Sequence, residues 1–90
     1  MNSLFLVIGS NSFSGAHFVS HLLEHGHKVI GMSRSEEPNN VFLPYKWLSF
    51  CHEKFQFHQI DINRDLKRLL ELIQLYKPEY IVNFAAQGMV

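Results

Sequence analysis

The chain is 90 residues long, 47% hydrophobic and 18% charged, with eight basic residues balanced by eight acidic ones; that length holds one domain with a thin core, and the composition is that of a globular rather than a disordered protein. Zero net charge and the lack of a basic stripe interleaved with aromatics exclude a nucleic-acid surface, and no apolar stretch approaches the ~20 residues of a membrane helix. A single cysteine, Cys51, excludes an internal disulfide, so a reducing, cytoplasmic setting is expected.

Leu4–Ile8 is an unbroken apolar run, the pattern of a parallel strand buried on both faces. It lacks the basic flank and cleavage site of a signal peptide and ends at Gly9. Residues 14–25 place Phe18, Val19, Leu22 and Leu23 at helical spacing, with Ser12 or Ser14 to cap the start and Gly26 to end it. Residues 28–32 predict a second strand. Residues 35–54 contain Pro38 and Pro44, which break regular structure, and Phe42, Tyr45, Trp47 and Phe50, which read as packed aromatic surface. Residues 55–60 alternate with period two and predict a third strand. A helix over 64–76 carries Leu66, Leu69, Leu70, Ile73 and Leu75 or Tyr76, with Pro78 just past its end, and residues 80–86 predict a fourth strand. With right-handed crossovers, this order predicts a parallel sheet arranged 3-2-1-4, the first half of a doubly wound α/β fold. One sheet edge and one helical layer are left unprovided for.

The segment Gly9-Ser10-Asn11-Ser12-Phe13-Ser14-Gly15 lies where the first strand hands over to a helix. Such a turn brings backbone N–H groups and the positive helix end to a pyrophosphate, and glycine at its start leaves room for the approach. Gly15 would let the helix lie close to the first strand. The candidate phosphate contacts are Gly9, Ser12, Phe13, Ser14 and Gly15.

Three segments together, the glycine turn, Asp61-Ile62 after the third strand, and Asn83-Phe84-Ala85-Ala86-Gln87 at the fourth, resemble the N-terminal portion of the extended short-chain dehydrogenase/reductase family, particularly its sugar-nucleotide epimerases and dehydratases. The resemblance covers residues 1–90 as the N-terminal part of an NAD(P)-binding Rossmann domain. It implies that Asp61 receives the adenine amino group with Ile62 flanking the ring, and that Ala85, Ala86 and Gln87 border the cofactor. Capping of the next helix by Asp61 or Asn63 stands as the alternative role, and core packing as the alternative for the two alanines. Ser12 replaces the family's middle glycine; its Cβ narrows the approach, while its hydroxyl is a further donor. Gly88-Met89-Val90 departs from the Ser-His-Val common in dehydratases.

An acidic residue after the second strand would select NAD, because it accepts from the ribose hydroxyls. Here Ser33-Arg34-Ser35 stands instead, and a guanidinium flanked by hydroxyls suits a 2′-phosphate. NADP is therefore the expected cofactor, with NAD as the alternative and Arg34 as a solvated loop residue the plainer reading. The family's catalytic Tyr-x-x-x-Lys pair is missing, since Tyr45, Tyr76 and Tyr80 are followed four residues later by Ser49, Tyr80 and Phe84. No catalytic residue is assigned.

His17, His21 and His25 share a helical stripe but lie away from the apolar face, so a solvated surface is expected rather than a metal site. Cys51 reads as an inert thiol. The sequence thus predicts the NAD(P)-binding portion of a sugar-nucleotide 4,6-dehydratase or epimerase, a homodimer when full length and a user of nucleotide-sugar substrates. A non-catalytic NAD(P)-sensing module, or a truncation that survives by self-association, are the alternatives; a methyltransferase ranks lower, since no acid follows the second strand.

Overall fold

The computed structural model describes residues 3–37 and 53–84. In chain order these form β1 (Leu4–Ile8), α1 (Phe13–Glu24), β2 (Lys28–Ser33), β3 (Phe55–Gln59), α2 (Leu66–Tyr76) and β4 (Tyr80–Asn83). The strands make one sheet in the order β3-β2-β1-β4, every pairing parallel, as predicted. In register, Leu6 lies opposite Ile30 and Ile81, and Val7 opposite Gly31 and Val82.

β1 reads as a continuous apolar run because it sits between two strands with a core cluster on each face. Val7 points to one side, where it packs with Ala16, Val19, Leu22, Leu23 and Val29; Leu6 and Ile8 point to the other, with Ile30, Met32, Ile60 and Leu69. Each fully buried aliphatic side chain contributes about 2 kcal/mol. The first cluster is the better covered, because α1 buries Ala16, Val19, Leu22 and Leu23 against it. Helix α2 buries only Leu69.

The two helices start and stop for identifiable reasons. Ser12, in extended conformation, caps α1 by accepting from the Gly15 N–H, and Gly26 at φ 85° ends the run in a left-handed conformation that suits glycine. Helix α2 begins at Leu66, two residues later than the sequence predicts. Asp61 is the cause: its Oδ1 accepts from the Asn63 N–H and its carbonyl from the N–H groups of Arg64 and Asp65, so a separate turn precedes the helix. Asp65 takes the N-cap position, and neither Asp61 nor Asn63 caps the helix. Lys77 at φ 50° ends it, just ahead of Pro78.

Leu66 and Leu70, expected as core, are 54% and 51% exposed, and of the alternatives Leu75 and Tyr76, Leu75 is 70% exposed while Tyr76 packs against the second cluster. The heptad-like pattern marks a helix face but does not say what covers it. Ile81 on β4 is also half exposed, and among the described residues β4 pairs only with β1. Among the described residues no helix is long and apolar enough to cross a membrane. Phe42, Tyr45, Trp47, Phe50 and Cys51 lie outside the described residues.

Ser10, just past β1, is fully buried, and its hydroxyl has no hydrogen-bond partner. It lies against Gly31, where a Cβ would come within 2.5 Å of Ser10 Oγ and 2.9 Å of the Phe55 ring, so β2 needs glycine at that point. An unsatisfied buried hydroxyl is destabilising. Ser10→Ala is expected to raise the unfolding free energy by about 1 kcal/mol in urea titration; a lower midpoint would show that the hydroxyl is satisfied in solution.

His58 on β3 also carries a buried, unpartnered ring nitrogen, Nε2. Burial, reinforced by the Arg68 charge, holds its pKa below the ordinary 6.5. The unfolded chain therefore binds this proton more readily than the native one. Stability is expected to fall as pH drops through 6.5 and to level off below the depressed native value. His58→Gln should flatten that part of the profile between wild type and variant; identical slopes would remove His58 as its source.

Candidate functional site

The carboxyl ends of all four strands open onto one cleft of about 430 Å³. Gly9, Asn11 and Ser12 line it from the end of β1, Ser33, Arg34 and Ser35 from the end of β2, Ile60 to Asn63 from the end of β3, and Asn83 and Phe84 from the end of β4. It straddles β1 and β4, where the sheet reverses its direction of growth and where open α/β sheets place their ligands.

The glycine turn is shaped from within. Gly9 adopts φ 81°, a left-handed conformation strained for any residue with a Cβ. A Cβ on Gly15 would collide with the Gly9 carbonyl oxygen and come within 2.8 Å of Ser12 Oγ, so the helix sits close to the strand end because glycine lies between them. Ser12 Oγ donates to Gly9 O at 2.8 Å and accepts from Gly15 N at 3.0 Å. The hydroxyl expected as a further ligand donor is thus engaged in closing the turn, because both partners lie three residues away in the same loop. The N–H groups of Phe13 and Ser14 open α1 and have no acceptors within the helix, and no acidic residue occupies its first turn. That end of the helix is suited to an anion.

On the far side, Asp61 uses Oδ1 to hold Asn63 N at 2.9 Å while remaining at the cleft wall. Ser35 N donates to Ser33 Oγ at 3.4 Å, and the Ile60 N–H donates to Ser33 O at 2.8 Å, fixing the exit of β2 against that of β3. Arg34 is exposed at the rim of the wall.

Of the residues singled out from sequence, the cleft brings together Gly9, Ser12, Ser33, Arg34, Asp61 and Ile62. Phe13, Ser14 and Gly15 form the first turn of α1 and do not line the wall; the Phe13 ring is 80% exposed and tilts against His17. Ala85, Ala86 and Gln87 lie outside the described residues. Ser35, the second hydroxyl flanking Arg34, also lines the wall, and the structure adds Ile8, Asn11, Ile60, Asn63, Asn83 and Phe84. Asn11 was discoverable as the one amide inside the glycine turn, and Asn63 as something other than a cap. His17, His21 and His25 are exposed, with Nδ1 of His17 and of His25 each 2.9 Å from the carbonyl four residues back. Among the described residues, no three metal-ligating side chains gather.

A family profile described as GDP-mannose 4,6 dehydratase matches residues 6–90. The chain belongs to that family. It corresponds to the N-terminal portion of the extended short-chain dehydrogenases/reductases to which the epimerases and dehydratases belong. The probable low-salt glycan biosynthesis reductase Agl14 of Haloferax volcanii is 35% identical over 80 residues, which is 89% of this chain and 22% of the relative. Among solved structures, UDP-glucose 4-epimerase from Thermotoga maritima, determined with UDP-glucose, shares 28% identity at a TM-score of 0.72, covering 98% of this chain and 25% of that one. The dTDP-glucose 4,6-dehydratase from Bacillus anthracis, determined in complex with NAD, shares 26% identity at a TM-score of 0.77, covering 94% and 27%. The chain therefore spans about a quarter of the length of these members of the epimerase/dehydratase family.

Proposed function

We propose that this chain binds a nicotinamide dinucleotide, with NADP preferred over NAD, as the cofactor-holding part of a sugar-nucleotide 4,6-dehydratase or epimerase. One observation carries the reading: a single cleft joins the glycine turn, the Ser33-Arg34-Ser35 segment and the Asp61-Ile62 pair. In this reading the N–H groups of Phe13 and Ser14 receive the pyrophosphate, with Gly9 leaving room for it. Asp61 accepts from the adenine amino group, with Ile62 against the ring, and Arg34 pairs with a 2′-phosphate while Ser33 and Ser35 donate to it. Ala85, Ala86 and Gln87, by the family resemblance, border the cofactor. Bound there, the dinucleotide would supply reversible hydride transfer.

The residues of this chain bind and orient; none is placed as acid or base, and the Tyr-x-x-x-Lys pair of the family is not among its 90 residues. A nucleotide-sugar substrate, homodimer formation and a cytoplasmic setting belong to the same proposal for the whole enzyme. The NAD seen with the Bacillus anthracis relative supports NAD as the alternative cofactor.

Titration of the chain with NADPH and NADH, followed by nicotinamide fluorescence, tests this directly. Both are expected to bind, NADPH more tightly. Gly9→Val should abolish binding of either, since the backbone there cannot keep φ 81° with a β-branched side chain. Retained binding in that variant would put the nucleotide elsewhere on the molecule.

A further inference from the structure

Three successive carbonyls after β2 are held by side-chain amides that come from two other elements. Asn11 Nδ2 donates to Ser35 O at 3.3 Å and to Glu36 O at 3.0 Å, and Gln59 Nε2 donates to Arg34 O at 3.2 Å. Exposed loop carbonyls are ordinarily left to water. Here each is gripped, from the glycine turn on one side and from the last residue of β3 on the other.

The grip has a consequence for Arg34. A guanidinium engages a phosphate in a paired geometry only if its backbone stands at the right place, because its long side chain otherwise spreads over many rotamers. Asn11 sits inside the turn assigned to the pyrophosphate, so it links that seat mechanically to the segment facing the ribose. Neither amide brings charge to the cleft. Resting on the nucleotide reading, we infer that Asn11 and Gln59 are positioning residues that hold the Arg34 segment in register with the glycine turn and so set discrimination at the 2′ position of the ribose.

The test compares wild type with Asn11→Ala and Gln59→Met in NADPH and NADH titrations, with circular dichroism to confirm folding. In each variant the ratio of NADPH to NADH affinity is expected to fall by roughly fivefold or more, and in Gln59→Met, whose side chain does not line the cleft, NADH affinity stays within about twofold, because preorganisation is lost only where Arg34 is used. An equal weakening of both nucleotides, or an unchanged ratio, overturns the positioning role. Should Asn11→Ala fail to fold, Gln59→Met, at an exposed strand end, decides by the same ratio. A wild type that binds both nucleotides equally overturns the NADP preference and the positioning role together, and one that binds neither overturns the nucleotide reading itself.

Discussion

Gly15→Ala is expected to destabilise the chain by about 3 kcal/mol and to lower its urea midpoint without changing the slope of the transition. The added methyl would overlap the Gly9 carbonyl oxygen, which is backbone, and crowd Ser12 Oγ, which caps the helix. A flexible side chain could swing aside; a carbonyl at the end of a buried strand cannot. Relief requires α1 to back away from β1, which opens the cluster formed by Val7, Ala16, Val19 and Leu23. In a domain of this size such a loss lowers the melting temperature by roughly ten degrees or more. Nucleotide binding should fail with it, because the helix that presents the Phe13 and Ser14 amides would no longer stand at the strand end. A loss below about 1 kcal/mol would mean that the turn relaxes easily, and that close approach is not why glycine stands there.

Arg34→Asp is expected to change the ratio of NADPH to NADH affinity by about a hundredfold, equivalent to ~2.7 kcal/mol, and so to erase or reverse the preference. Two effects add. In the proposed reading the variant loses a charge-assisted pair with the 2′-phosphate, and it places a carboxylate where a ribose diol is welcome and a second negative charge is repelled. Arg34 lines the cleft yet is exposed, so the substitution leaves the core untouched and its effect can be read as binding. Thermal unfolding without ligand should match wild type. A ratio unmoved by the substitution would return Arg34 to the role of a solvated loop residue.

Sheet order was legible in the sequence because it follows from apolar runs and right-handed crossovers, both of which are local or general. The residues at the strand ends were legible for the same reason: Gly9, Ser33, Arg34 and Asp61 stand where a strand stops, and parallel pairing brings those stops together. What escaped prediction depends on partners far along the chain. The two acceptors of Asn11 lie 24 and 25 residues away, and no spacing rule points to them. Gly31 looks like an interior strand glycine until Ser10 is seen packed against it. Asp61 and Asn63 both resemble helix caps, and only the geometry shows Asp61 closing a turn while Asp65 starts the helix. Ser12 departs from the family's glycine, and the hydroxyl it gains closes the loop from inside.

The placement of β1 bears on how the molecule is made. β1, which precedes the other three strands in the chain, lies between β2 and β4, and its contact with the start of β4 closes a span of 75 residues, as the bond between Leu4 N and the Glu79 carboxylate marks. Until β4 emerges, the edge of β1 that it covers lacks that strand as a partner. Vectorial synthesis thus favours β1 docking early with α1 and β2, whereas β4 joins through a long-range closure of the kind that slows folding.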